Sequence, residues 1–198
     1  MTDLNFPISF DFNISTISND FTARDAQGKV IAYIRQKMFK LKEDIEVFAD
    51  DSRAQVNYNI KADKWIDFST AYSFTDSKGK ELGKVARKGW ASLWKANYDI
   101  IDQHQKPQYK IREENAWVKV ADGVLGQIPI LSIFTGYLFN PSYIVLDAKE
   151  QKVVRLKKEP SFFGRKFTVS QVKPTDADDD HRIMLSLMML VLLERRRG

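Results

Sequence analysis

Six basic residues recur at matched places in this chain. Arg35 and Lys37 follow Asp25 by ten and twelve residues, Arg87 and Lys88 follow Asp76 by eleven and twelve, and Lys157 and Lys158 follow Asp147 by ten and eleven. Guanidinium and ammonium groups gathered along one rim would attract phosphate and other anions. Dispersed, the same residues would be solvated strand ends or guards against edge-to-edge pairing. The overall charge leans the same way, but only slightly: 31 Lys and Arg against 26 Asp and Glu leave +5. These six are the candidate residues for binding an anionic ligand.

Nothing else in the sequence promises reaction chemistry. The absence of cysteine excludes disulfides, thiolate metal sites and cysteine nucleophiles. Two histidines, His104 and His181, are too few for a His-rich zinc site. Glycine-rich nucleotide loops, a G-x-S-x-G elbow and an H-E-x-x-H helix are all missing. Glu43, Asp44 and Glu46 cluster, as do Glu113 and Glu114. Adjacent strand residues point to opposite faces, so these read as solvated surface. His104 sits in a polar turn before Pro107, and His181 at the start of a helix, where capping or packing explains it. The run Asp176, Asp178, Asp179, Asp180 lacks the glycine and the terminal glutamate of a calcium-binding EF-hand loop, and helix capping accounts for it. The expectation is a protein that is not an enzyme, with no cofactor and no metal. No RNA-recognition or helix-turn-helix signature appears, so nucleic acid is not an expected partner.

The elements that would position the six are mainly strands. Phe6, Ile8, Phe10, Phe12 and Ile14 alternate with polar residues, and Pro7 marks a sheet edge or the start of a strand. Val56, Tyr58 and Ile60 alternate likewise, as do Ile66, Phe68, Thr70, Tyr72 and Phe74; Trp90, Ser92, Trp94, Ala96 and Tyr98 share a less clean parity. Three segments, Phe21 to Lys37, Tyr72 to Lys88 and Tyr143 to Lys158, each place an aromatic residue four before an aspartate. Gly28 and Gly79 follow their aspartates by three and can adopt positive φ, which makes these segments β-hairpins. Glu150 replaces the glycine in the third, so that turn is expected to differ. The hairpins suggest one closed or nearly closed sheet.

Ile183 to Leu193 reads IMLSLMMLVLL, with acids before it and Arg195, Arg196 and Arg197 after it, a charge order that complements the helix dipole. A helix apolar on every face must be enclosed. Eleven residues at ~1.5 Å each span about 17 Å, short of a ~30 Å bilayer core. Gly123 to Leu146 carries no charge over 24 positions, but Gly126, Pro129, Gly136 and Asn140-Pro141 interrupt it. It reads as a loop or short helix followed by a buried strand that ends near Asp147.

The Asp-x-x-Gly-Lys hairpins, the run GYLFNPSYIVLD and the closing DDDHRIMLSLMMLVLL resemble the superfamily of tubby C-terminal-like domains, over residues 20 to 195. That superfamily includes phospholipid scramblases and the LURP-one-related proteins of plants. The resemblance implies a mainly β fold, a closed antiparallel barrel of about twelve strands around a hydrophobic C-terminal helix. It also implies lipid: tubby domains bind phosphoinositide head groups through basic residues, and scramblases are associated with calcium and lipid movement. Unlike scramblases, this chain has no cysteine to palmitoylate and no proline-rich N-terminal region. The expectation is a single domain over 1–198, cytoplasmic and peripheral at the membrane, that binds anionic phospholipid or a membrane surface. The alternative is a structural or regulatory domain that displays a surface to a protein partner.

Overall fold

In the computed structural model, residues 4–13, 19–37, 44–63, 71–87, 97–114, 141–160 and 166–197 are described. Twelve strands come first: β1 (Ile8–Phe12), β2 (Asp20–Arg24), β3 (Val30–Gln36), β4 (Asp44–Phe48), β5 (Val56–Ala62), β6 (Ala71–Asp76), β7 (Glu81–Arg87), β8 (Asn97–Asp102), β9 (Pro107–Glu113), β10 (Ser142–Leu146), β11 (Lys152–Glu159) and β12 (Lys166–Gln171). Among the described residues one helix, α1 (Ala177–Arg197), follows them. Each strand pairs antiparallel with its chain neighbours, and β1 pairs with β12, so the sheet closes into an up-and-down barrel. Closure removes every sheet edge. Pro7 therefore marks the start of β1 rather than an edge.

Alternation in the sequence becomes inside and outside in the barrel. Ile8 and Phe10 are fully buried and pair with Val169 and Phe167, while Ser9 and Asp11 between them face outward. Tyr72 and Phe74 of β6 point inward in the same way; Ile66, Phe68 and Thr70 lie outside the described residues, as do Ile14, Glu43, Trp90 to Ala96 and Gly123 to Asn140. β10 supplies the strand expected before Asp147.

The inward residues close around α1. Every residue from Ile183 to Leu192 is at most 1% exposed. Burial of each Leu, Ile, Val or Met side chain stabilises the fold by ~1.5–3 kcal/mol. The one polar residue among them, Ser186, donates its hydroxyl to the carbonyl of Arg182 at 2.7 Å. Asp176 caps the helix, its Oδ1 accepting from the Asp179 N–H at 2.9 Å. Near this N-terminus the helix packs on β7 and β8 at Gly83, where a Cβ would lie 2.3 Å from the Ile101 carbonyl of β8 and 3.1 Å from Arg182 Cδ of the helix.

Hairpin turns set the direction of every strand. At Asp25, Asp76, Asp102 and Asp147 the same bonds recur: Oδ1 accepts the N–H groups two and four residues on. In each, the N–H of the third residue onward donates to the aspartate carbonyl, and that third residue has positive φ: 79° at Gly28, 81° at Gly79, 63° at Gln105 and 58° at Glu150. The third hairpin thus does not differ from the first two. A left-handed non-glycine residue costs about 1–2 kcal/mol. Against that cost stand the aspartate bonds and two ion pairs of Glu150, with Lys110 at 2.9 Å and Arg112 at 3.1 Å. The turn at Asp102 is a fourth copy, with Tyr98 four residues before it. It places His104 on an exposed hairpin tip, its N–H bonded to Asp102 at 2.8 Å.

Candidate functional site: the basic end of the barrel

All four aspartate turns join an even-numbered strand to the next odd one, so they share one end of the barrel. Odd strands run away from that end and deliver their last residues to the opposite end. β3 brings Arg35 and Lys37 there, β7 brings Arg87, and β11 brings Lys157 and Lys158. Lys88 lies outside the described residues. The hairpins therefore point the same way, and the five described candidates reach one end.

They do not form one continuous band. β3, β7 and β11 are four strands apart in a ring of twelve. With strands ~4.8 Å apart and tilted by about 40°, the three stations lie about 20 Å from one another. Their orientation also differs. Arg35 is exposed on the outer face, opposite Asp20 and Glu46. Lys157 is exposed and outward, opposite Ser142 and Thr168. Arg87 pairs with inward Tyr98, and Lys158 with inward Phe167, so both belong to the inner-facing side of their strands and are half-buried.

Neighbouring acids temper the charge. Lys37 Nζ lies 2.6 Å from Glu46 and 3.7 Å from Asp44. The hydrogen bond that Lys37 donates to Glu46 is the main reason the Lys37 ammonium titrates above its ordinary range. Asp44 is buried and Glu46 joins it on the same lysine, which corrects the reading of this acidic cluster as solvated surface. Lys157 has a looser partner in Glu159, at 3.4 Å.

Three further contributors were not legible as site residues. Lys61 is exposed near the end of β5, and Lys166 opens β12 with 52% of its side chain exposed, 3.6 Å from Asp11. Neither belongs to an aspartate-turn hairpin. The register of their strands was the signal that could have found them. The third is the direction of α1, which carries the backbone of Arg195 to Arg197 to the basic end.

Elsewhere the polar groups are engaged. On the outer wall Glu114 takes Lys152 and Arg155, both at 2.8 Å, and the Lys152 bond is the leading cause that holds its carboxyl below the usual range. Glu150 is held low in the same manner, by Lys110 first. At the aspartate end an open cleft of about 420 Å³ is lined by Gln103, Asp176, Ala177, Asp178 and Arg182. The Arg182 guanidinium there is bound to Asp179, to Gln103 at 3.2 Å and to the Leu82 carbonyl at 3.5 Å. Tyr109 donates to Asp179 at 2.6 Å, and burial with this bond raises its phenol well above its ordinary range. Among the described residues no group of three His, Asp or Glu is placed to hold a metal ion, and no helix is long and apolar enough to cross a membrane.

Residues 30–127, from the start of β3 to beyond β9, match the family model described as LURP-one-related. The chain is also similar to the X-ray structure of a protein from Arabidopsis thaliana, with a TM-score of 0.52 and 13% identity over 98% of this chain and 93% of that one. At that identity the likeness is one of fold. No curated protein matches. The resemblance read from the hairpins and the closing helix is borne out, as is the twelve-stranded barrel around that helix.

Proposed function

We propose that this chain, a member of the LURP-one-related family of the tubby-like superfamily, is a non-enzymatic barrel that docks its basic end on an anionic membrane surface. One observation carries the reading: the similar hairpins point the same way, so β3, β7 and β11 all bring lysine or arginine to one end, at Arg35 and Lys37, Arg87, and Lys157 and Lys158. Exposed cations near an anionic leaflet contribute about 1 kcal/mol each, so several stations facing one plane give measurable binding. The attraction is screened by salt, with a Debye length of about 8 Å at physiological ionic strength. A cytoplasmic protein, peripheral at the membrane, fits this arrangement.

Flotation with phosphatidylcholine vesicles, with and without phosphatidylserine, tests it. Binding should require the anionic lipid and weaken as salt rises. Failure to float with any anionic vesicle would leave the barrel as a display surface for a protein partner.

A further inference from the structure

The three cationic stations are too far apart to share one head group. Arg35 on β3, Arg87 on β7 and Lys157 on β11 sit a third of the barrel's circumference from each other, about 20 Å. A phosphate oxygen accepts a hydrogen bond over only about 3 Å. A residue that serves one phosphate cannot assist at the next station. Lys37 adds little to the first station beyond its own ion pairs with Glu46 and Asp44. Lys61 on β5 and Lys166 on β12 add charge between stations rather than deepening any one of them.

Building on the membrane reading, we infer that the basic end senses the charge density of a surface through independent contacts, rather than the stereochemistry of a single phosphorylated head group. Each station engages a different anionic lipid. Linking the stations through a rigid barrel makes the second and third contacts intramolecular, so affinity grows as a product of weak terms. The partner class is a bilayer rich in singly charged anionic lipid. A free polyphosphate of the same chemistry occupies one station at a time and gains nothing from the other two.

The experiment measures partitioning onto phosphatidylcholine vesicles with rising fractions of phosphatidylserine, for the whole chain and for Arg35→Gln, Arg87→Gln, Lys157→Gln and the triple variant. Each single change should lower the partition coefficient by about five-fold, and the triple change by about a hundred-fold, near the product. Binding should rise more steeply than linearly with phosphatidylserine. Soluble inositol hexakisphosphate, at concentrations matched in phosphate, should compete poorly. Melting curves of the variants identify any loss that comes from unfolding, and replacement by the other cation (Arg35→Lys, Lys157→Arg) should restore binding. Abolition of binding by one variant, with no effect of the other two, overturns the inference while leaving membrane docking intact. Stoichiometric competition by inositol hexakisphosphate does the same. Absence of binding to any anionic vesicle overturns the membrane reading and the inference together.

Discussion

At the aspartate end, four to seven residues join successive strands, and four of the five turns repeat one set of hydrogen bonds. At the basic end the connections run from six residues, between β11 and β12, to 28, between β9 and β10. The contrast separates two jobs. Carboxylates at the first end are consumed by their own backbone, so the turns fix register and retain little capacity for a ligand. Cations at the second end lie where the odd strands end, some of them exposed, as Arg35 and Lys157 are, and others half-buried, as Arg87 and Lys158 are. Substitutions at the two ends should accordingly fail in different ways: the first in stability, the second in binding.

The largest effect belongs to neither end but to the helix that spans them. Leu187 is fully buried, and Leu187→Asp places an uncompensated charge in the core. That costs several kcal/mol, comparable with a domain's whole stability of ~5–15 kcal/mol. The variant should lose its cooperative melting transition, and an unchanged melting temperature would remove the helix from the centre of the account.

Next comes Gly83, at the aspartate side of the helix. Its φ of 128° and the 2.3 Å approach to the Ile101 carbonyl leave no room for a methyl group. Gly83→Ala should destabilise by more than the ~1 kcal/mol typical of backbone preference alone. Equal stability by urea titration would mean that β7 and β8 tolerate separation.

A smaller loss, about 1–2 kcal/mol, is expected for Asp25→Ala, which deprives the Gln27 and Lys29 N–H groups of their acceptor. Vesicle binding by the folded fraction should be unchanged. If Asp25→Ala weakened binding as strongly as Arg35→Gln, the division of labour between the ends would be wrong.

The smallest effect is electrostatic. Lys152 and Arg155 hold the Glu114 carboxyl below its unfolded value. Its contribution to stability is therefore present above the unfolded pKa and lost as pH falls through the lower folded pKa. Glu114→Gln should cost at most about 1 kcal/mol at neutral pH, as for exposed pairs. The difference should vanish in acid. A gap that persisted at low pH would point to packing rather than charge.

Much of the fold was legible because alternation and helix composition are local signals. Phe10 and Phe12 against Asp11 revealed β1, and IMLSLMMLVLL read as an enclosed helix. The fourth hairpin escaped because Gln105 stands where Gly28 and Gly79 stand, although Tyr98 and Asp102 repeat the spacing. The aspartate's two backbone bonds, rather than the glycine, define that turn; Glu150 teaches the same point. The site was legible in part. Equal distances from the turns placed Arg35, Arg87 and Lys157 at one end, but their separation around the barrel depends on strand order. The inner-facing side of Arg87 and Lys158 depends on register, and Lys61 enters only when β5 is seated between β4 and β6.

On the proposed function, one end of the barrel, and not net charge, binds anionic surfaces. Two charge-reversed proteins test it directly. Arg35→Glu with Lys157→Glu acts on the basic end, and Lys78→Glu with Lys80→Glu makes the same change in net charge on a hairpin tip at the aspartate end. In flotation with phosphatidylserine vesicles, the first protein should remain in the soluble fraction and the second should float like the unaltered chain. Equal flotation by both, or equal loss in both, would contradict the claim.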